Sequence, residues 1–191
     1  MAEILKNSVC YLAGPIDFEE SLGKDYRQSI KDKCIEAGLK IKFLDPTNKL
    51  TGLSKDVGDE QAHIQKYKKK RDWKSLRQLM KRIVKEDLRQ VDLSDFLIVM
   101  VNTDIHMCGT YHELITAELQ RKPILTIVKG GKEKAPAWLF GILNHEYMFN
   151  SVDECVGYLV KLNSGQGYLN NKWILFRHEL DKLGQSEPEI D

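Results

Sequence analysis

Residues 95–128 read DFLIVMVNTDIHMCGTYHELITAELQRKPILTIV. Two apolar runs, Phe96–Val101 and Pro123–Val128, each have the length of a buried strand. Between them GTYHELITAELQ places Leu114, Ile115, Ala117 and Leu119 where a helix gains an apolar side. Strand, loop, helix and strand predict a right-handed βαβ unit with a parallel sheet. Strands this continuously apolar fit a sheet covered on both faces. Ligands of such sheets sit outside the carboxyl ends of the strands, so the loop Asn102–Gly109 is the place for chemistry. Gly109-Thr110 is expected to open the helix, with Glu113 in its first turn.

Glu113 has two readings. Thr110-x-x-Glu113 matches the capping box, in which the glutamate closes back on the cap residue's N–H. Alternatively, Glu113 is a carboxylate at the mouth of a nucleotide-sized crevice, where the helix's partial positive end favours the ionised form a nucleophile needs. Position alone does not separate the two.

At 191 residues the chain is one domain of ordinary size with room for an appendage. A net charge of +1 gives no global field to attract nucleic acid. Cys10, Cys34, Cys108 and Cys155 form no CxxC pair, which fits reduced thiols in a cytoplasmic protein. No apolar run approaches a membrane span, and MAEILKNS has no signal-peptide core, so no membrane partner is expected.

Working outward, Ser8–Ala13 reads as a first strand ended by Gly14-Pro15. Tyr26, Ile30 and Cys34 carry helical spacing up to Glu36, and Leu39–Leu44 is a second strand before Asp45-Pro46-Thr47. The loop GPIDFEESLG contains Gly14, Pro15 and Asp17 as candidate substrate contacts, and its N–H groups and the Ser21 hydroxyl could meet a phosphate or sugar. It is neither a P-loop nor GxGxxG. Beyond Val128, Ala135–Leu143 reads as a short helix, Tyr147–Phe149 as a last strand and Val152–Leu162 as an amphipathic helix. Trp173–Leu183 reads as a terminal helix whose apolar residues need a surface to cover, followed by a loose tail.

Residues 47–92 stand apart. A glycine-bearing linker, 51–58, precedes a strongly basic pattern over 66–89, and apolar residues from Trp73 to Val91 recur at helical spacing. Such a basic face is either solvated or a meeting place for phosphates. Asp87, near the helix end, is either an exposed acid or a carboxyl delivered to the crevice. Facing Glu113 and partly desolvated, it would have its pKa raised toward that of a proton donor. Two carboxyls in unlike environments divide into nucleophile and acid.

Cys10-Tyr11-Leu12-Ala13-Gly14-Pro15, Glu86-Asp87-Leu88 ahead of Asp95, and Gly109-Thr110-x-x-Glu113-x-x-x-Ala117 with Lys122-Pro123 resemble, in that order, the nucleoside 2-deoxyribosyltransferase family. The family includes the related nucleoside 5′-monophosphate N-glycoside hydrolases. The resemblance spans roughly residues 8–162 apart from the segment around 47–75. It implies a flavodoxin-like α/β sandwich with a central, mostly parallel five-stranded sheet. The domain would run over 1–163 with a helical insert at about 47–92, and 164–191 would be a C-terminal extension. It further implies cleavage or transfer of the N-glycosidic bond of a deoxynucleoside or its monophosphate, without cofactor or metal. Glu113 matches the glutamate that forms a covalent glycosyl-enzyme, Asp87 the aspartate that handles the proton of the departing base, and Tyr11 the tyrosine that orients the glutamate. Gly109 and Thr110 would contact substrate beside them. A homo-oligomer is expected, and the substrate is a small nucleoside or nucleotide.

The chain departs from the transferase pattern in places. Six residues before the nucleophile, where transferases often have an aspartate for the sugar, stands Met107; nearby Asp104 could substitute. Asn144 and His145 match a segment that completes a neighbouring subunit's site. The basic segment has no counterpart in compact transferases and could serve a 5′-phosphate, a polynucleotide or an oligomer interface. Two rival readings remain. His106, Cys108 and His112 could form a metal or thiol site, although a fourth zinc ligand is missing. A non-catalytic nucleotide- or nucleic-acid-binding module could use the same crevice and the basic helix 66–89.

Overall fold

A computed structural model describes residues 3–49, 57–166 and 172–173. Five strands, β1 (Val9–Ala13), β2 (Lys42–Leu44), β3 (Phe96–Val101), β4 (Ile124–Val128) and β5 (Met148–Phe149), form one sheet in the order β2-β1-β3-β4-β5. Every neighbouring pair is parallel. This is the flavodoxin-like three-layer sandwich. All six residues of β3 and all five of β4 are buried, as strands covered on both faces must be. Helices α1 (Lys24–Glu36) and α6 (Val152–Asn163) cover one face through Ile30, Cys34, Cys155 and Leu159. On the other face lie α3 (Trp73–Leu93), α4 (Cys108–Leu119) and α5 (Ala137–Ile142), through Val91, Leu114, Ala117 and Leu139. The chain order reverses between β1 and β3, so their carboxyl ends border the crevice.

The expected β2 over 39–44 shortens to Lys42–Leu44 because Leu39 is consumed in closing α1. Gly38 takes the left-handed conformation (φ +73°), its N–H bonds Ile35 O, and Leu39 N–H bonds Cys34 O at 2.9 Å. That is a Schellman closure, and it buries Leu39 in the core instead of pairing it. The basic helix read over 66–89 is two helices, α2 (Val57–Lys70) and α3. Arg71 turns left-handed (φ +53°) between them, and Asp72 caps α3 by accepting the Ser75 N–H. The apolar spacing from Trp73 to Val91 belongs to α3 alone, while the basic residues run on across the break. Ile64 of α2 and Leu79 and Ile83 of α3 form a small third cluster. The expected helix 173–183 lies outside the described residues apart from Trp173, which is buried against Phe96 and Tyr147.

Arg27 was not anticipated from the sequence, although it lies three residues before Ile30 and seven before Cys34, on the stripe that α1 buries. Its side chain has no exposed surface. The guanidinium donates to Leu12 O (3.1 Å), Gly23 O (3.0 Å) and Gly14 O (2.8 Å), holding the β1–α1 loop against the end of β1. Gly23 is left-handed (φ +72°), and a Cβ there would lie 2.5 Å from the Pro15 carbonyl oxygen. The loop therefore needs both the fork and the glycine. Arg27→Met removes the guanidinium donors of three carbonyls, and urea unfolding should show a loss of about 3–5 kcal/mol. Arg27→Lys should recover only part of it, because an ammonium cannot reproduce the planar fork.

Candidate active site

Three side chains from three elements meet below the crevice. Tyr11 points from β1 toward the α3–α4 face and is fully buried. Glu113 shares the buried stripe of α4 with Thr110, Leu114 and Ala117 and is 8% exposed. Asp87 falls midway between Ile83 and Val91, four residues from each, so helical spacing carries it onto the buried side of α3. The Tyr11 hydroxyl donates to Glu113 Oε1 at 2.8 Å, and Glu113 Oε2 has no hydrogen-bond partner among the described residues.

The helix under Glu113 begins earlier than expected. Helix α4 starts at Cys108 after Met107, which supplies no side-chain cap, and its opening bond runs from Tyr111 N–H to Met107 O. Glu113 therefore sits in the second turn, and the Thr110-x-x-Glu113 capping box is not formed. The expected help from the helix terminus falls away, because that field fades beyond the first turn. Burial, reinforced by the nearby Asp87 charge, pushes the Glu113 carboxyl up to about 8, against the Tyr11 hydrogen bond and the more distant Arg27 and Lys49. At neutral pH the unliganded site thus keeps a proton on Glu113. Burial also raises Asp87, while the ammonium of Lys49 opposes the rise. Tyr11 is raised well above an ordinary phenol by burial and by Glu113, so it remains a donor.

Lys49 and Glu60 are parts of the site that sequence reading missed. Lys49 Nζ lies 3.0 Å from Asp87 Oδ1, 3.2 Å from Glu60 Oε1 and 4.0 Å from Glu86 Oε2, with only 3% of its side chain exposed. Its pKa stands above the ordinary lysine value although burial works against the charge, because Asp87 and Glu60 favour the ammonium. A lone lysine in a polar loop carries no periodicity, and its partners lie 11 and 38 residues further along the chain.

Neighbouring residues of the β1–α1 loop each reach a different element at the mouth. Asp17 accepts from Gln61 of α2 at 2.5 Å. The Phe18 ring stands edge-on to His106 of the β3–α4 loop at 6.2 Å, and Glu19 accepts from the Asn102 amide at 3.2 Å. Phe18 is left-handed (φ +64°) and 71% exposed. Gly14 and Pro15 are buried at the end of β1, and a Cβ on Gly14 would collide with the Tyr26 hydroxyl at 2.2 Å. A cavity of about 330 Å³ opens beside them, between Glu19, Tyr26, Asn102 and Lys129.

The remaining candidates are scattered. Asp104 is exposed, and its N–H bonds the Asn102 side chain. Met107 is 4% exposed and packs into the core, its sulfur accepting the Asn102 N–H. Gly109 is exposed and Thr110 buried in the first turn of α4. Asn144 caps a short 3₁₀ turn and borders a cavity with Ile124, at the amino end of β4, whereas the crevice lies at the carboxyl ends of the strands; exposed His145 follows it. Within one chain, neither approaches Glu113. His106, Cys108 and His112 are all exposed, and among the described residues no three His, Cys, Asp or Glu side chains converge as metal ligands would. A surface groove of about 810 Å³ lies elsewhere, along Arg77, Met80, Val84 and Leu88 of α3. No described helix is long and apolar enough to cross a membrane.

Two residues of the sequence motifs serve the scaffold. Asp95 accepts the Val9 N–H at 2.7 Å, anchoring the start of β1. Lys122 Nζ donates to Val91 O (2.5 Å), Asp92 O (2.8 Å) and Ser94 O (2.6 Å), satisfying the end of α3.

No protein-family model matches the chain, and no curated protein matches its sequence. Among solved structures, it is similar to a 2-deoxyribosyltransferase from the psychrotolerant bacterium Bacillus psychrosaccharolyticus. The two are 15% identical, the match covers 85% of this chain and 100% of that one, and the TM-score is 0.55. A conserved protein from Enterococcus faecalis V583 is 16% identical over 93% and 99% of the two chains, with a TM-score of 0.45. The likeness to the transferase is one of fold.

The buried carboxyl has a consequence for stability that is independent of substrate. Unfolded, Glu113 ionises above about 4.5; folded, only above about 8. Between these values the folded state holds the extra proton, so the contribution of Glu113 becomes steadily less favourable as pH rises through the window and levels off above about 8. Glu113→Gln should leave Tm unchanged near pH 4 and raise it by about 10 °C at pH 8.5. An equal shift at both pH values would contradict the raised pKa.

Proposed function

We propose that the protein breaks the N-glycosidic bond of a 2′-deoxynucleoside or its 5′-monophosphate, by transfer or hydrolysis, through a glycosyl ester on Glu113. The observation that carries this reading is a pair of carboxyls, Glu113 buried and Asp87 half-buried, the first oriented by a tyrosine hydroxyl, at the point where the sheet order reverses. The fold shared with a deoxyribosyltransferase is consistent with it, although fold alone does not assign activity. Tyr11 holds Oε1 of Glu113, leaving Oε2 for the sugar. As Oε2 bonds to the anomeric carbon, the bond to the base nitrogen breaks; its electron pair stays with the base, which takes a proton from Asp87. A second base, or water, then bonds to the anomeric carbon and displaces Glu113 as a carboxylate, its proton passing to the Asp87 carboxylate left by the first step. Splitting the displacement in this way avoids a free oxocarbenium ion. Glu113 must first give up its resting proton. Passing it to Asp87 leaves the carboxylate and the acid that the step requires, with no change in total charge.

Chromatography of each deoxynucleoside and deoxynucleoside monophosphate, incubated with and without a second free base, tests the reading. Free base released without an acceptor identifies a hydrolase; a new nucleoside formed only with the acceptor identifies a transferase. No turnover by folded protein would favour the binding-module alternative. Glu113→Gln should abolish turnover. Asp87→Asn should lower it by roughly 10²–10⁴, most for bases that leave poorly; an equal small loss with every base would remove Asp87 from the role of acid.

A further inference from the structure

Helix α2 reaches the crevice through two adjacent residues. Gln61 bonds Asp17 of the β1–α1 loop, and Glu60 holds Lys49 at 3.2 and 3.4 Å. Lys49 in turn lies 3.0 Å from Asp87. An ammonium this deeply enclosed has little water to solvate it and keeps its charge through the carboxylates around it. We propose that Lys49 is a positioning residue for the proton shared by Glu113 and Asp87, and that α2, through Glu60, holds Lys49 in place. The assignment rests on the glycosyl-transfer reading for its catalytic meaning.

The charge balance around Asp87 involves every element packed against it. Lys49 from the segment after β2 and Arg27 from α1 favour its ionised form. Glu86 on α3 disfavours it, as do Glu113 on α4 and Glu60 on α2 by their negative charge when ionised. Tyr11 from β1 interacts with both carboxyls but remains neutral. Lys49 is the cation in direct contact with Asp87. The Lys49 ammonium favours the charge on Asp87 and so favours the proton of the pair on Glu113. Before attack on a sugar the O–H bond at Glu113 breaks and one forms at Asp87, and the Lys49 ammonium opposes that exchange. A base bound against Asp87 that draws Lys49 aside, or shields it, would release the proton and arm Glu113 only when substrate is present. The free enzyme would then hold a neutral Glu113, and water in the crevice would meet no competent nucleophile–acid pair.

The test is a carboxyl titration of the unliganded protein by ¹³C NMR with labelled aspartate, the Asp87 signal assigned from Asp87→Asn. In Lys49→Met the apparent pKa of Asp87 should rise by about 1–3 units, the effect of removing an opposite charge at this range. Lys49→Arg should restore it. In Lys49→Met both limbs of the pH–rate profile should also move to higher pH, whereas a merely structural loss would lower kcat without moving them. If Lys49→Met fails to fold, Lys49→Gln provides the same reading with an amide that still bonds Glu60. An Asp87 titration unchanged in the folded variant overturns the assignment of Lys49, whatever the turnover. Absence of turnover in the wild type, with the titration shifted as expected, instead overturns the glycosyl-transfer reading and leaves Lys49 as the group that sets the charge on Asp87.

Discussion

A carboxyl group with little exposed surface, placed beside a second carboxyl, persists in a folded protein only if protons and cations around it limit the negative charge. Glu113 imposes that condition on its surroundings. One proton remains on Glu113 itself, Tyr11 donates to it, and the Lys49 ammonium neutralises its neighbour. These groups come from β1, from α4 and from the segment after β2, so the condition is met only when the sheet and both its flanking segments are assembled. The site is consequently a product of the whole fold and could not be reproduced on an isolated βαβ unit.

Much of this was legible in the sequence, for identifiable reasons. The strands around Val99 and Leu125 are apolar without interruption, and buried parallel strands are the structures that accept such runs. Asp87 and Glu113 were visible because both lie next to the crevice that the βαβ pattern predicts, and because Glu86-Asp87-Leu88 and Gly109-Thr110-x-x-Glu113 are short motifs that survive as local sequence. Arg27 lies on the buried stripe of α1 with Ile30 and Cys34 but was hidden by the adjacent Tyr26, which carries the helical pattern equally well. Lys49 and Glu60 gave no signal, since a contact made across 11 residues through a polar loop leaves no period in the chain. The start of α4 was misplaced because Thr110-x-x-Glu113 satisfies a local motif completely, while the true start at Cys108 has no capping side chain to announce it.

The α3 segment shows how two kinds of information overlap in one helix. Its basic residues follow the surface and its apolar residues follow two different cores, the sheet core at Val91 and the small cluster with α2 at Leu79 and Ile83. The cationic composition runs without interruption from α2 into α3, whereas the apolar spacing begins only at Trp73, and between them a single left-handed residue, Arg71, folds the two helices into a hairpin. That reversal returns α2 toward the crevice. The loops at the mouth are joined in pairs by Asp17, Phe18 and Glu19, so the β1–α1 loop acts as the common member of three contacts.

The Lys122 ammonium, by gathering three carbonyls of the last turn of α3 immediately after the end of α4, couples the ends of the two helices that carry Asp87 and Glu113. Neither helix can slide along its axis by the 1.5 Å of a single residue without separating that ammonium from its acceptors. The spacing between the two carboxyls is therefore insulated from changes elsewhere in the helices. Descendants of this chain that acquire new preferences would be expected to do so through the loops at the mouth, where length and side chains vary freely, while the distance between their acid groups stays inherited.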